Sequence, residues 1–204
     1  MNRKAGAQCA SPAEVKTFAM TGHPLPQGEI SIEPQGSLFV CDNADKRWCV
    51  IYTRSRREKK VASSCRQFGI RHYLPLRKSI TGRRGRRYTA MVPIFPGYVF
   101  IYLDWKDRQR LWQTGHIARM IDVVDQQRLL DELHNIRILE ESGSFLHPVS
   151  EITKGKRIRI IDGPLCGLEG RVSRIKGKTC VVLEVDIIHQ GVACEIDSCM
   201  LAPL

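Results

Sequence analysis

The sequence lacks the patterns that mark membrane proteins, secreted proteins and common enzymes. Its longest apolar run, residues 91–103, is too short for a membrane-spanning helix and contains two prolines. No apolar segment follows Arg3 and Lys4, so we expect no secretion signal and a cytoplasmic protein. No GxSxG, Walker A, dinucleotide-binding or HExxH pattern occurs, and the six histidines are scattered. We therefore expect neither an enzyme nor a bound cofactor.

Cysteine pairs with metal-binding spacing are also missing. The chain has eight cysteines but no CxxC pair. In the cytoplasm these thiols stay reduced, and a free cysteine then behaves as a small hydrophobic residue. Cys49, Cys65, Cys180 and Cys194 fall at positions where the pattern places core-facing or half-buried side chains. We expect no structural metal site.

Acidic residues are scarce in one part of the chain. The net charge is +11, yet residues 1–45 carry −2 and residues 141–204 carry none. All the excess positive charge lies in residues 46–140, which carry +13. Between Arg54 and Arg87, thirteen Lys or Arg residues accompany a single Glu. A cluster this dense indicates a polyanionic partner.

Hydrophobic periodicity predicts an α+β domain over residues 46–141. Residues 1–45 are rich in proline, and we expect a flexible extension with local order only near residues 38–40. The predicted elements are a strand over 48–53, a helix opened by a Ser55–Glu58 capping box and ended by Gly69, a strand over 70–76, a basic tip over 79–87, strands over 88–92 and 98–103, a helix capped by Asp104, a strand over 118–124 and a helix capped by Asp125.

The last third of the chain predicts an all-β unit. Residues 142–152 contain Gly143 and Pro148, and they are expected to form a linker. Five short strands separated by turn signals then follow over residues 153–204. So many short strands in so few residues favour a small barrel.

The apolar stretch over residues 92–103 admits two interpretations. Residues 98–103 are β-branched and aromatic, which predicts a buried strand. Pro93 and Pro96 precede it, and Gly97 permits a bulge or a close backbone approach. The stretch is either a core strand with an irregular start or an apolar docking surface rimmed by aromatic residues.

Two motifs carry a resemblance to a known family. The residues WCVIY (48–52), the helix that follows, Leu74-Pro75 and FPGYV (95–99) resemble the N-terminal domain of the NusG family of transcription elongation factors. Residues 158–172, IRIIDGPLCGLEGRV, are similar to the KOW motif of that family. The resemblance covers residues 46–204 and looks closest to the specialised UpxY and RfaH kind of paralogue.

The resemblance implies an N-terminal NusG-type α/β domain, with an antiparallel sheet flanked by helices, over residues 46–141. It also implies a C-terminal SH3-like KOW barrel over residues 153–204. The implied function is transcription elongation and antitermination on long operons, often those for surface polysaccharides. The implied partners are the RNA polymerase clamp helices, non-template DNA or nascent RNA at the transcription bubble, and a ribosomal protein or termination factor at the KOW domain. We expect a monomer with no membrane contact.

The resemblance also implies roles for three groups of residues. The polymerase-contact role falls on Tyr52, Phe95, Pro96, Gly97, Tyr98 and Trp48. Nucleic-acid contact, with His72 as a candidate for base stacking, falls on Arg54, Arg56, Lys60, Arg71, His72, Arg83, Arg84, Arg86 and Arg87. The KOW partner role falls on Ile161, Gly163, Pro164, Leu165 and Gly167.

Two other functions compete with a specialised antiterminator. A general NusG-like elongation factor would carry the same motifs but act without one recruiting DNA element. A ribosome-associated or RNA-binding KOW protein is the other alternative, and the zero net charge of residues 141–204 counts against it. Single residues also have a purely structural interpretation: Trp48 and Phe100 suit a core, and any one arginine suits a solvated surface.

Overall fold

The computed structural model describes residues 29–30, 39, 41, 43–83, 86–143, 146–149, 155–175 and 178–204. These residues form three antiparallel sheets and three α-helices. The strands are β1 Glu29–Ile30, β2 Arg47–Thr53, β3 Arg71–Leu74, β4 Leu76–Arg83, β5 Arg86–Pro93, β6 Tyr98–Leu103, β7 Ile117–Asp122, β8 Leu146–Val149, β9 Arg157–Ile160, β10 Glu169–Ile175, β11 Lys178–Val185, β12 Gln190–Glu195 and β13 Leu201–Pro203. The α-helices are α1 Glu58–Phe68, α2 Trp105–Gln113 and α3 Gln126–Glu141.

The first sheet has the strand order β1-β3-β6-β2-β7. Strand β6 lies at its centre, paired with β2 and β3, and its residues from Val99 to Leu103 are buried. This confirms the buried strand that the uncharged run 98–103 predicts. Such a strand has apolar side chains on both faces because both faces of the sheet are covered.

One face of this sheet packs against α1 and α2. The apolar residues of α1 recur at the predicted spacing, and Val61 and Cys65 lie in one buried cluster with Ile51, Ile101 and Leu111. The helical spacing of the apolar residues in α1 and their alternation along the strands therefore place both sets in one core.

The opposite face packs against α3. Trp48 and Phe100 share a buried cluster with Leu133 and Ile136 of this helix. Hydrogen bonds hold the start of α3 in place, since the Gln126 side chain accepts from the Trp48 N–H at 2.8 Å and donates to the Trp48 carbonyl at 2.9 Å.

Side chains cap two of the three helices as predicted. An Asp104 carboxylate oxygen accepts from the Asp107 N–H at 2.8 Å, and an Asp125 oxygen accepts from the Arg128 N–H at 3.0 Å. The predicted capping box at Ser55 is wrong. Helix α1 begins at Glu58 without a side-chain cap, because the Glu58 carboxylate bonds elsewhere.

Strands β4 and β5 form a separate two-stranded sheet. The predicted basic tip over 79–87 is shorter than expected, because strand pairing continues from Leu76 opposite Pro93 to Arg83 opposite Arg86. Cross-strand pairs of β-branched residues, such as Ile80 with Thr89, favour the extended ladder.

Part of the predicted flexible extension joins the fold. Strand β1 pairs with β3, with Glu29 opposite Leu74. The ring of Phe39 lies 5.3 Å from that of Tyr73, measured between centroids, and 6.0 Å from that of Trp48. Residues 1–28, 31–38, 40 and 42 lie outside the described residues.

The C-terminal sheet has the order β13-β9-β10-β11-β12-β8. It contains one strand more than predicted, because β8 lies inside the predicted linker and pairs with β12 from Leu146 opposite Cys194 to Val149 opposite Gly191. Residues 144–145 and 150–154 lie outside the described part of the chain. The structure shows an antiparallel sheet here, and its closure into an SH3-like barrel stays a prediction.

Helix α3 also contacts the C-terminal sheet. Its apolar residues continue into a cluster that contains Val181 and Val185 of β11. The Arg128 guanidinium lies 2.8 Å from the Asp186 carboxylate, and a Glu132 oxygen accepts from the Asp186 N–H at 3.2 Å. Burial raises the pKa of Glu132.

None of the helices that the structure describes is long and apolar enough to cross a membrane. Within the same residues, no cluster of three or more His, Cys, Asp or Glu side chains could hold a metal ion.

The buried thiols should differ from the exposed ones in reactivity. Burial raises the pKa of Cys49 and of Cys65 from about 9.0 to about 12, so both stay protonated and enclosed at pH 8. We expect a water-soluble thiol reagent to label Cys166 and Cys199, which are exposed, at least tenfold faster. Peptide mapping by mass spectrometry measures the rates, and equal labelling of all four in the folded chain would contradict this packing.

The same thiols make stability depend on pH. They ionise near pH 9.0 in the unfolded chain but only near 12 in the folded one, so the unfolded state loses protons first. Their contribution to the free energy of unfolding is intact below pH 9.0 and falls as the pH rises toward 12. Urea titrations between pH 7 and pH 10 on the wild type and on a Cys49→Ala, Cys65→Ala variant measure it. An equal pH slope in both would contradict the assignment.

Candidate functional site

A tight turn precedes the central strand. The Tyr98 N–H donates to the Phe95 carbonyl at 3.1 Å, which closes a four-residue turn. Pro96 and Gly97 occupy its two central positions, and Gly97 has φ = 89°. Proline followed by a glycine of positive φ is the pattern of a type II turn. The glycine predicted as a bulge or close approach is thus required by the turn.

The turn is held from two sides. The Gly97 N–H donates to a Glu58 carboxylate oxygen at 2.8 Å, and the Gly97 carbonyl accepts from the Thr53 N–H at 2.8 Å. A side chain at position 97 would also collide, because a Cβ there would lie 3.0 Å from the Tyr52 ring. The end of β2, the start of α1 and the turn are therefore fixed to one another.

This arrangement presents a small aromatic surface. Tyr52 and Tyr98 are cross-strand partners whose ring centroids are 5.1 Å apart. Tyr52 is 43% exposed, Tyr98 is half-buried and Pro96 is exposed. Arg119 is exposed and lies opposite Tyr52 on β7, so it borders the same patch. We call Tyr52, Pro96 and Tyr98 the aromatic patch.

Two residues predicted to contact a partner lie in the core instead. Phe95 is 1% exposed and packs edge-on against Phe100, with centroids 6.1 Å apart. Trp48 is fully buried beside Tyr102. Both lie on the sheet face that α3 covers, which explains why neither is available at the surface. The interpretation of Trp48 as a core residue is the one that agrees with the structure.

Four of the predicted nucleic-acid residues are exposed at the surface. Arg54, Arg56, Lys60 and Arg87 are exposed. Arg71 is half-buried, with its guanidinium 5.2 Å from the centre of the Tyr102 ring, a cation–π contact.

The remaining predicted nucleic-acid residues have different positions. His72 is fully buried on the sheet face that α1 and α2 cover, and its Nδ1 lies 3.1 Å from the Ile70 carbonyl oxygen. The prediction that His72 stacks on a base is therefore wrong. Arg83 and Arg86 pair through their backbones at the end of the hairpin, and Arg84 lies outside the described residues.

The loop between β9 and β10 holds the residues predicted for a second partner. Gly163 and Gly167 have φ values of 84° and 93°, which turn the chain twice. Ile161 is 54% exposed and Pro164 is exposed, so both are accessible. Leu165 is 5% exposed and belongs to the core, which corrects its prediction as a contact residue.

Sequence reasoning missed the role of Glu58. It was interpreted as part of a helix cap, whereas it anchors the turn through the Gly97 N–H. A signal was present, because Glu58 is the single acidic residue among thirteen basic ones between Arg54 and Arg87. An isolated acid in so basic a segment indicates a specific hydrogen-bonding role.

Comparisons with known proteins give the family of the chain. The NusG family profile, described as "Transcription termination factor nusG", matches residues 46–156, which is more than half of the chain. The protein named "Transcription termination/antitermination protein NusG" from Borreliella burgdorferi is 25% identical over 74% of this chain and 95% of its own length. The proteins of the same name from Pseudomonas aeruginosa and Lactococcus lactis are 26% and 25% identical, over 82% and 90% of their lengths and 64% and 75% of this chain.

A solved structure titled "Crystal Structure of MjSpt4:Spt5 complex conformation B" is also similar, at 16% identity and a TM-score of 0.26, over 77% of this chain and 96% of that one. A score this low adds no support. The profile match spans all the elements from β2 to α3, including the turn and the aromatic patch. Proteins of this family are not enzymes. The chain belongs to the NusG family of transcription termination and antitermination factors.

Proposed function

We propose that this protein is an elongation and antitermination factor that docks on the RNA polymerase clamp helices through the aromatic patch. It contacts nucleic acid at the transcription bubble through the basic residues and promotes readthrough of long operons, such as those for surface polysaccharides. The observation that carries the proposal is the clamped turn that exposes Tyr52, Pro96 and Tyr98 together.

The chemistry of the aromatic patch suits a helical partner. Tyrosine side chains supply contact area at little cost in conformational entropy, and they are enriched among residues that dominate binding energy. An amphipathic helix needs such an apolar surface to bury its own apolar face. The Glu58–Gly97 hydrogen bond fixes the patch before binding, which reduces the entropy lost on association.

The basic residues support contact with nucleic acid. Arg54 and Arg56 lie just after the end of β2, Lys60 lies on α1, and Arg87 lies on the two-stranded hairpin. The Lys59 ammonium donates to the Met91 carbonyl at 2.8 Å, which joins α1 to the hairpin. Cations on two connected elements can neutralise phosphates along one strand. A specialised factor would use these cations to bind one recruiting DNA element, whereas a general factor would use them to bind DNA of any sequence.

The C-terminal unit supplies a second proposed contact. Ile161 and Pro164 are exposed at the loop between β9 and β10, and we propose that a ribosomal protein or a termination factor binds there. Gly163 and Gly167, both with positive φ, turn the chain within this loop.

Removing the aromatic patch should abolish docking. We expect Tyr52→Ala with Tyr98→Ala in the full chain to weaken binding to core RNA polymerase roughly 30-fold or more, the effect of losing one strong contact residue. Biolayer interferometry measures the affinity. The control is Tyr88→Ala, which removes an exposed tyrosine from the hairpin and should leave the affinity unchanged. Equal binding by the double variant, with its fold intact by circular dichroism, would reject the aromatic patch as the docking surface.

Removing the anchor of the turn should weaken both folding and docking. Glu58→Ala leaves the Gly97 N–H without its carboxylate acceptor, and a hydrogen bond to a charged group contributes roughly 1.5–3 kcal/mol. We expect a loss of that order in the free energy of unfolding, measured by urea titration, together with weaker polymerase binding. Glu58→Gln keeps a carbonyl acceptor and should recover most of both. If Glu58→Gln and Glu58→Ala behaved alike, the hydrogen bond would not be the reason.

Removing surface cations should change the salt dependence of nucleic-acid binding. Arg54→Gln with Arg87→Gln removes two proposed phosphate contacts, and the slope of log affinity against log salt concentration for single-stranded DNA should become less steep by about 1.4. The matched control, Lys156→Gln with Arg157→Gln, removes two exposed cations from the C-terminal unit. The same change of slope in both variants would mean that only the overall charge matters.

A further inference from the structure

Three neighbouring strands of the first sheet carry one row of side chains at their open end. Tyr52 of β2 lies opposite Tyr98 of β6 on one side and opposite Arg119 of β7 on the other. Residues that lie directly opposite each other in antiparallel strands project from the same face of the sheet. Arg119 therefore belongs to the same surface as the two tyrosines of the aromatic patch.

Helix α3 crosses this face diagonally and leaves the row uncovered. Its first residue, Gln126, bonds to the backbone of Trp48 at the start of β2. Near its other end, Glu140 accepts from the Leu76 N–H at 3.2 Å, just beyond the end of β3. The helix thus runs from the start of β2 toward the end of β3, and the corner formed by the end of β2 and the start of β7 lies outside its path.

The exposure of the side chains follows this path. On the α3 face, Tyr73 of β3 is fully buried, and Tyr98 of β6 is half-buried. Tyr52 of β2 is 43% exposed, and Arg119 of β7 is exposed. The sheet therefore becomes more open from β3 toward β7, and Arg119 stands where it is most accessible.

The charge of Arg119 is not neutralised by the part of the chain that the structure describes. No described residue forms a hydrogen bond, an ion pair or a ring contact with its side chain. Glu58, an acidic residue at this end of the sheet, is buried and bonded to the Gly97 N–H. A second cation, Arg54, follows β2, and its N–H donates to the His116 carbonyl at 2.9 Å. The open corner is thus aromatic at its centre and positive on its β7 side.

We propose that Arg119 determines which helix the aromatic patch accepts, by pairing with an acidic side chain one helical turn away from the apolar residue that packs on Tyr52 and Tyr98. The inference rests on the proposed polymerase contact, and it specifies the chemistry of the helix that makes this contact. The partner helix must carry an apolar residue and an Asp or Glu three or four positions apart.

The dimensions of the row fit one α-helix. Neighbouring strands lie about 4.8 Å apart, so the row from Tyr98 to Arg119 spans roughly 10 Å, which is close to the diameter of a helix. Directly opposite residues have Cβ atoms about 5 Å apart, and residues three or four apart on a helix are separated by about 5–6 Å. A helix whose apolar residue packs on Tyr52 therefore brings the side chain one turn away over Arg119.

The chemistry of arginine favours a carboxylate on a protein helix. The planar guanidinium donates two parallel hydrogen bonds to one carboxylate, and a docked helix excludes water from them. A nucleic-acid phosphate would satisfy the charge of Arg119, but the phosphate backbone offers no apolar group to the adjacent tyrosines. A helix with an apolar and an acidic residue is the partner that uses the whole row.

Substitutions at Arg119 test the pairing. Biolayer interferometry measures binding of the full chain to core RNA polymerase at several salt concentrations. We expect Arg119→Gln to weaken the affinity about tenfold or more and to make it less sensitive to salt, because the lost hydrogen bonds join two charged groups. Arg119→Lys keeps the charge but not the planar fork, so it should retain the association rate and only part of the affinity.

A charge exchange identifies the acidic residue of the partner. Arg119→Glu should bind more weakly than Arg119→Gln, because two carboxylates then repel each other. Among single Asp→Lys and Glu→Lys variants of the polymerase clamp helices, one should restore binding of Arg119→Glu. The matched control is Lys106→Gln, which removes an exposed cation from α2 on the other face of the sheet and should change the affinity less than about twofold.

The pairing is rejected if Arg119→Gln, folded by circular dichroism, binds polymerase as tightly as the wild type while Tyr52→Ala with Tyr98→Ala does not bind. The docking surface would then stand without Arg119. Equal effects of Arg119→Gln and Lys106→Gln, or failure of every charge exchange, would also reject it. Weaker binding of Arg119→Gln to single-stranded DNA alone would assign Arg119 to a phosphate. Normal binding by the tyrosine variant would instead reject the docking surface itself, and the inference with it.

Discussion

The hydrogen bond between the Glu58 carboxylate and the Gly97 N–H joins three elements that are distant in sequence. It fixes the start of α1 against the turn, and the turn in turn fixes the position of Tyr98 beside Tyr52. Without the Glu58 acceptor, the turn would keep its hydrogen bond to the Thr53 N–H of β2 but lose its connection to α1. The same hydrogen bond fixes the start of α1, and with it the cations of this helix, relative to the turn, because Glu58 is the first residue of the helix.

The sequence was sufficient to predict most of the first domain. The buried strand from Tyr98, the caps at Asp104 and Asp125 and the apolar face of α1 all follow from local patterns, and the structure contains each of them. Patterns of this kind depend on near neighbours in the chain. The family resemblance added the functional context, and the profile match confirmed the family itself.

The sequence could not show which of several chemically similar residues lie at the surface and which lie in the core. Phe95 and Tyr98 flank the same turn, yet α3 covers one and leaves the other half-exposed. His72 looked like a surface base-stacking residue because its neighbours are basic, but strand alternation turns it toward α1. The strand Leu146–Val149 was missed because its partner, β12, follows more than forty residues later.

Helix α3 is shared between two sheets. Gln126 and Glu140 bond it to the first sheet, and Arg128 and Glu132 bond it to the C-terminal sheet. The apolar residues of α3 that pack against the C-terminal sheet would be exposed to water if the two sheets separated. The free energy of separation therefore includes the cost of hydrating this part of α3. The two halves of the chain are therefore thermodynamically coupled through a single helix, and a ligand that prefers them apart must supply that free energy from its own binding.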